Sequence, residues 1–401
     1  MNASRWTRRQ VIGTAASVGV GVASGSVFAQ AKGEIKLGQT MPYSGPASAY
    51  GTIGRVQQAW FKKVNDEGGV NGRKINLISL DDGYSPPRTV EQVRKLVEQD
   101  DVLALFQTLG TPPNTAIHKY VNAKKVPHLF VATGATKWND AKNFPWTFGF
   151  NPSYQTEGEI YAKYLLKNKP TAKIAILYQN DDYGKDVLAG VKRGLAANPK
   201  MVVAEATYEV TDPTVDSQII TLKNSGADTF INITTPKFGA QAIRKVFDLG
   251  WKPLHIVNNV AASVGSVLTP AGLEKSVDVV TALYYKDSTD PQWKDDAAML
   301  EWRAFMARYY REGDVTDGGN IYGVIVAQLM VQVLKQCGTD VSRDNIKKQA
   351  ENIRNFKHPL LLPGMSLNTG PNEHIPVKQM QLAKFDGKKW VLFGEVLGAV
   401  G

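Results

Sequence analysis

At 401 residues the chain is longer than one hydrophobic core ordinarily supports and suits two units of usual domain size. Hydrophobic residues at 43% and charged residues at 21% exclude both an intrinsically disordered chain and a polytopic membrane protein. The formal net charge is +10 at pH 7, but the basic residues are dispersed in pairs such as Lys62-Lys63 and Lys347-Lys348, which reads as a solvated surface and not a nucleic-acid interface.

Arg5, Arg8 and Arg9 precede an acid-free run of small and apolar residues from Val11 to Phe28, and Ala29-Gln30-Ala31 supplies a small-residue cleavage site. Residues 1–31 therefore read as a signal peptide, too poor in Leu, Ile and Phe for a membrane anchor, and the mature chain is expected in the periplasm. Thr7-Arg8-Arg9-Gln10-Val11 resembles a twin-arginine signal, with an ordinary secretory signal as the alternative. Cleavage removes three arginines and no acid, leaving 44 basic against 37 acidic residues, a net +7.

From Glu34 onward short β-branched runs alternate with longer amphipathic stretches, which predicts an α/β fold of βαβ units around parallel sheets. Strands are expected at 35–38, 75–80, 102–106 and 129–132, with helices beginning near Thr52, Arg88 and Asn114. A second series follows Asn151-Pro152, with strands at 173–178, 202–205, 229–233, 255–257 and 277–281. Its helices are expected at 154–168, 185–198, 214–225 and 239–249, closed by Gly, Asn or Pro. Two long helices, 293–311 and 319–336, carry enough apolar periodicity to return to the first unit, and a hairpin turning at Asp386-Gly387-Lys388 ends the chain. Cys337 lies in an apolar helical stretch and reads as a core residue, with no internal disulfide partner.

Catalytic signatures do not emerge from this pattern. There is no dinucleotide-type glycine motif, no phosphate loop and no nucleophile elbow, and His118, His128, His255, His358 and His374 have no metal-ligand spacing. Asp81-Asp82 and Asp181-Asp182 each follow a strand and precede a turn, so capping is read over acid-base chemistry. The expectation is a protein without catalytic residues, metal or cofactor.

Binding signatures sit where an open α/β sheet places ligands, beyond the carboxyl ends of its strands. The loop 41–51 presents Tyr43 and Tyr50, the loop 109–114 offers the Thr111 hydroxyl at a helix start, and Gly134-Ala135-Thr136 offers unhindered amides. A helix N-terminus holds a carboxylate without help from Arg or Lys.

At these loops the sequence resembles the leucine/isoleucine/valine-binding protein family, the type I periplasmic solute-binding proteins of hydrophobic amino acid ABC importers. The resemblance is carried by 39–46, 65–74, Asp81-Asp82, Gly134-Ala135-Thr136 and Asn180-Asp181-Asp182-Tyr183-Gly184, and it covers nearly the whole mature chain. It implies two lobes joined by three crossovers near Phe150, Tyr284 and Leu361, with lobe I at 32–150 plus 285–360 and lobe II at 151–284 plus 361–401. It further implies a monomeric protein without turnover that closes on a small-molecule ligand and hands it to an inner-membrane ABC permease. Carried over by position, the ligand carboxylate meets Thr111, Gly134, Ala135 and Thr136, Tyr50 lines the side-chain pocket, and Tyr183 comes from the second lobe. A second family tyrosine is matched by Thr234 or Thr235. Where the family's amino acid binders place a carboxylate on the ligand ammonium, this chain reads 257–263 with Asn258 and Asn259 and no acid. The resemblance with that departure predicts a small carboxylate, aromatic in character, with a branched-chain amino acid as the alternative. A sensor lobe without transport ranks below both.

Overall fold

The computed structural model describes residues 33–398. The segment read from the sequence as a twin-arginine leader lies outside the described residues. The first series runs β1 (Ile35–Met41), α1 (Gly51–Asp66), β2 (Ile75–Asp81), α2 (Pro86–Glu98), β3 (Ala104–Phe106), α3 (Thr111–Ala123), β4 (His128–Val131) and β5 (Thr147–Gly149). Its five strands form one parallel sheet in the order β2-β1-β3-β4-β5.

The second series runs α4 (Tyr154–Asn168), β6 (Ile174–Gln179), α5 (Asp182–Gly194), β7 (Val202–Tyr208), α6 (Asp216–Asn224), β8 (Thr229–Ile233), α7 (Pro236–Asp248), β9 (Leu254–Val257), the single turn α8 (Thr269–Ala271) and β10 (Val280–Leu283). Then follow α9 (Ala297–Tyr309), α10 (Gly318–Gln336), α11 (Arg343–Ala350), β11 (Gln379–Phe385) and β12 (Trp390–Gly398). The second sheet has the order β12-β11-β10-β9-β8-β6-β7, parallel from β10 to β7 and antiparallel at the terminal hairpin. β4 and β8 are buried along their whole length, as expected of parallel strands covered on both faces. Two lobes of parallel sheet flanked by helices result, the arrangement that the alternation of apolar runs predicts.

The differences are local. The strand expected at 277–281 forms at Val280–Leu283, because Asp278 adopts φ 68°, a left-handed conformation that no strand passes through. The helix expected at 185 starts at Asp182, where the Asp181 carboxylate accepts from the Tyr183 and Gly184 amides. β5, three residues long, and α11 were not predicted; neither is long enough for periodicity to declare it.

α9 and α10 return to the first lobe. Gly323 lets α10 close on α1, since a Cβ there would lie 2.4 Å from Val56 Cγ1, and Trp60 packs edge-on against Phe305 of α9 at 4.8 Å between ring centroids. Three crossovers join the lobes. The second and third run side by side, with Leu362 N–H donating to Tyr284 O (3.1 Å) and Lys286 N–H to Leu360 O (2.9 Å). Phe150 in the first crossover packs against Tyr284 and Tyr322, at 6.5 and 5.5 Å between ring centroids. Cys337 is buried.

Candidate functional site

The carboxyl ends of β1, β3, β6, β8 and β9 face a common cleft between the lobes. Seven tyrosines line it: Tyr50 and Tyr84 from the first lobe, Tyr154 and Tyr183 from the second, Tyr284 and Tyr285 from a crossover, and Tyr322 from α10. Ile53, Leu109, Pro236 and Val260 add apolar wall. Among the described lining residues Asp317 is the one charged side chain, and no Lys or Arg is present.

Local turn chemistry sets the tyrosines in place. Asp82 is fully buried and accepts from the Tyr84 amide (2.9 Å) and the Thr89 hydroxyl (2.8 Å), which holds Tyr84 at φ 61°. Asp181 caps α5 and fixes Tyr183, whose amide it accepts at 2.9 Å. Burial raises both carboxyls above the usual range against these hydrogen bonds. Both acids thus act as turn and cap residues and position two rings that line the cleft.

Tyr183 and Tyr154 meet edge to face, 5.1 Å between centroids, and the buried Tyr183 hydroxyl has no hydrogen-bond partner among the described residues. Thr111 lies beside them, its hydroxyl bonded to that of Thr133. The α3 terminus is poorer in donors than the sequence reading supposes. Pro112 and Pro113 carry no N–H, which leaves the Thr111 amide as the one donor of the first three helical positions. Thr235 and Asn259 also line the cleft. Thr235 N–H donates to Tyr208 (3.0 Å), while Asn259 donates its side-chain N–H to Ala282 O (2.7 Å) and its backbone N–H to Glu157 (2.6 Å). Burial lifts Glu157 to about 7, with the Asn259 amide and Tyr161 hydroxyl acting against it.

Four residues named from the sequence lie elsewhere. Tyr43 turns back under α1, its hydroxyl 2.6 Å from Ser79, because Asp81 takes the Tyr43 and Ser44 amides and folds the loop over. Gly134 accepts from the Tyr154 amide (2.8 Å), and a Cβ there would sit 2.4 Å from Pro152 O, so this turn seats Tyr154. Ala135 and Thr136 border a smaller hollow with Lys137, Asp182, Lys185 and Asp186. There Thr136 donates its amide and hydroxyl to Asp186 across the cleft, at 2.8 and 2.9 Å.

The lobes touch around the cleft. Tyr50 hydroxyl donates to Val260 O (3.0 Å), Lys137 pairs with Asp182 (2.6 Å), and Ser263 and Ser266 donate to Asp317 Oδ1 (2.9 and 3.2 Å). Asp317 sits at the N-terminus of α10, and Oδ1 also accepts from the Gly319 amide (2.9 Å). Sequence reading missed Asp317 because an Asp before Gly-Gly reads as a helix cap. It missed Tyr84, Tyr154, Tyr284, Tyr285 and Tyr322 because nothing in local pattern says which rings of distant segments converge.

The family model described as "Periplasmic binding protein" matches residues 34–389. The chain is 24% identical over 270 residues to Leu/Ile/Val-binding protein homolog 7 of Brucella suis biovar 1, a match covering 65% of this chain and 66% of that protein, just under two thirds of its length. Among solved structures it is similar to a branched chain amino acid ABC transporter protein from Thermus thermophilus with bound valine, with TM-score 0.83, 14% identity and coverage of 92% of this chain and 97% of that one. It is also similar to an R. palustris ABC transporter solute binding protein in complex with benzoate, with TM-score 0.78, 20% identity and coverage of 92% and 98%.

Proposed function

The chain belongs to the periplasmic binding protein family, and from that premise we propose that it captures a small, largely apolar organic acid between its lobes and delivers it to an ABC permease. The observation that carries this reading is the cleft itself, which lies between the lobes and is walled by seven tyrosines. Aromatic walls favour a flat ring, and Thr111, Tyr154 and Tyr183 offer neutral donors for a carboxylate. Closure is then stabilised by contacts that the ligand makes to both lobes at once, and the permease recognises the closed form. Binding without turnover, export by a cleaved twin-arginine leader and a monomeric state complete the proposal. The similar proteins bound to benzoate and to valine keep both aromatic acids and branched-chain amino acids in view, and Asp317 favours keeping the second.

A thermal-shift screen of the leaderless protein against aromatic acids, aliphatic acids, branched-chain amino acids and sugars tests the reading. A ligand at a hundred times its dissociation constant adds about 2.7 kcal/mol, a readily measured shift. Stabilisation by one or more of the acids or amino acids is expected; response to sugars alone would reject it.

A further inference from the structure

Glu157 follows Tyr154 by one turn of α4 and is 2% exposed. Its Oε1 accepts from the Asn259 backbone amide (2.6 Å) and the Tyr161 hydroxyl (2.7 Å), while Oε2 has no hydrogen-bond partner among the described residues. Asn259, which this carboxyl anchors, lines the cleft, as does Tyr154. Burial chiefly, and the Glu157 charge in addition, raise the phenols of Tyr154, Tyr183 and Tyr284 in the same wall. The carboxyl therefore stands directly behind the ligand space.

Neither the cleft lining nor the hydrogen-bond partners of Glu157 include a Lys or Arg to offset its charge. The titratable groups that face it are Tyr154 and Tyr161 on α4, Tyr183 on α5 and Tyr284 after β10, all neutral phenols raised by burial. On α5, Asp186 is taken by Gln155 and Thr136, and Arg193 by Glu159 and Gln155. On β9, burial lowers His255 to about 3 and keeps it neutral. β12 meets α4 through Phe393 on Tyr164, and its Glu395 is exposed, as is Lys163 of α4. An ionised Glu157 and an anionic ligand thus place two like charges in one low-dielectric volume, and a proton on one of them relieves the repulsion. Oε2 is the place for that proton, since both donors stay on Oε1 and the Asn259 loop keeps its anchor.

We infer that Glu157 is a proton-linked positioning residue: an anionic ligand enters the cleft together with a proton from solvent, held on Glu157 Oε2. The inference rests on the organic-acid reading above. Burial already lifts this carboxyl to about 7 against its two hydrogen bonds, and a ligand carboxylate moves it further up. Below that range the free protein carries the proton and binding needs none. Above it each ligand must bring one, so affinity falls as pH rises. No covalent bond changes, and the proton returns to solvent on release. Asp317 lines the same cleft and is also raised by burial, so the test separates the two acids by substitution.

Calorimetric titration of the leaderless protein with benzoate and with 4-methylpentanoate, at pH 6 and pH 8.5 and in buffers of different ionisation enthalpy, tests it. Wild-type affinity is expected to fall about tenfold from the lower pH to the higher, with buffer-dependent heats at pH 8.5 that report proton uptake. Glu157→Gln keeps an acceptor for both donors but no titratable group, and is expected to show one affinity at both pH values and no proton uptake. Tyr161→Phe removes one donor to Oε1 and is expected to move the midpoint of the pH profile upward; an unmoved midpoint counts against the inference even if Glu157→Gln does not fold. Wild-type affinity independent of pH, or a pH dependence that survives in Glu157→Gln, would overturn the role of Glu157 and leave the organic-acid reading standing. Failure of both acids to bind at either pH would overturn both.

Discussion

Tyr183 shows how much one atom decides in this cleft. Its ring is seated by the Asp181 cap and by Tyr154, yet its hydroxyl is buried with no hydrogen-bond partner among the described residues. An unmade buried hydrogen bond is costly, so a ligand oxygen that accepts from Tyr183 recovers that loss. Tyr183→Phe is expected to weaken the ligand by about 1 kcal/mol, roughly fivefold, without lowering the melting temperature of the unliganded protein. Unchanged affinity in a titration would place that hydroxyl outside the ligand's reach. The sequence made Tyr183 and Tyr50 visible as aromatics in loops at a sheet's carboxyl edge. It left Tyr43 indistinguishable from them, because only the folded loop reveals that Asp81 captures the Tyr43 amide and sends the ring toward Ser79.

At the scale of elements, the turn after β4 and the first turn of α5 form a latch between lobes. Asp186 accepts the Thr136 amide and hydroxyl from across the cleft and the Gln155 side chain from its own lobe. The Lys137–Asp182 pair beside it is partly exposed and contributes little by comparison. Asp186→Ala is expected to shift the unliganded protein toward the open form, seen as a larger radius of gyration in X-ray scattering. Apparent affinity falls with the fraction of closed molecules, so every ligand should weaken by a common factor of about ten. A loss confined to one ligand class would instead make Thr136 part of the recognition surface. The sequence reading assigned this turn to the ligand because free amides near a strand end look the same whether they face a solute or the opposite lobe.

Across the whole molecule, stability should respond to pH through buried titratable groups. Burial lowers His128 and His255 to about 3, and it lowers His118 and His358 to about 4, with Lys137 and Lys286 adding to the effect at the latter two. The unfolded chain takes up protons at these rings below 6.5 while the native chain does not, so stability is lost as pH falls from 6.5 toward 4. Glu157 works the other way: at about 7 its native carboxyl keeps a proton that the unfolded chain releases above 4.5, so it favours the native state at lower pH across that window. Four histidines oppose Glu157, joined toward the acid end by Asp82, Asp181, Asp287 and Asp317, whose carboxyls burial also raises, and each proton changes stability by about 1.4 kcal/mol per pH unit. Urea unfolding between pH 4.5 and 7 should therefore show stability rising with pH; a flat or falling profile would contradict the neutral buried histidines. The sequence by itself determined the α/β class and the alternation into two parallel sheets, because strand and helix periods are local properties of successive residues. Only the tertiary structure decided that Asp317 meets Ser263 across 54 positions, that tyrosines from six segments share one wall, and that Thr136 latches a lobe. Those contacts depend on the angle at which two lobes close, and no local period encodes that angle.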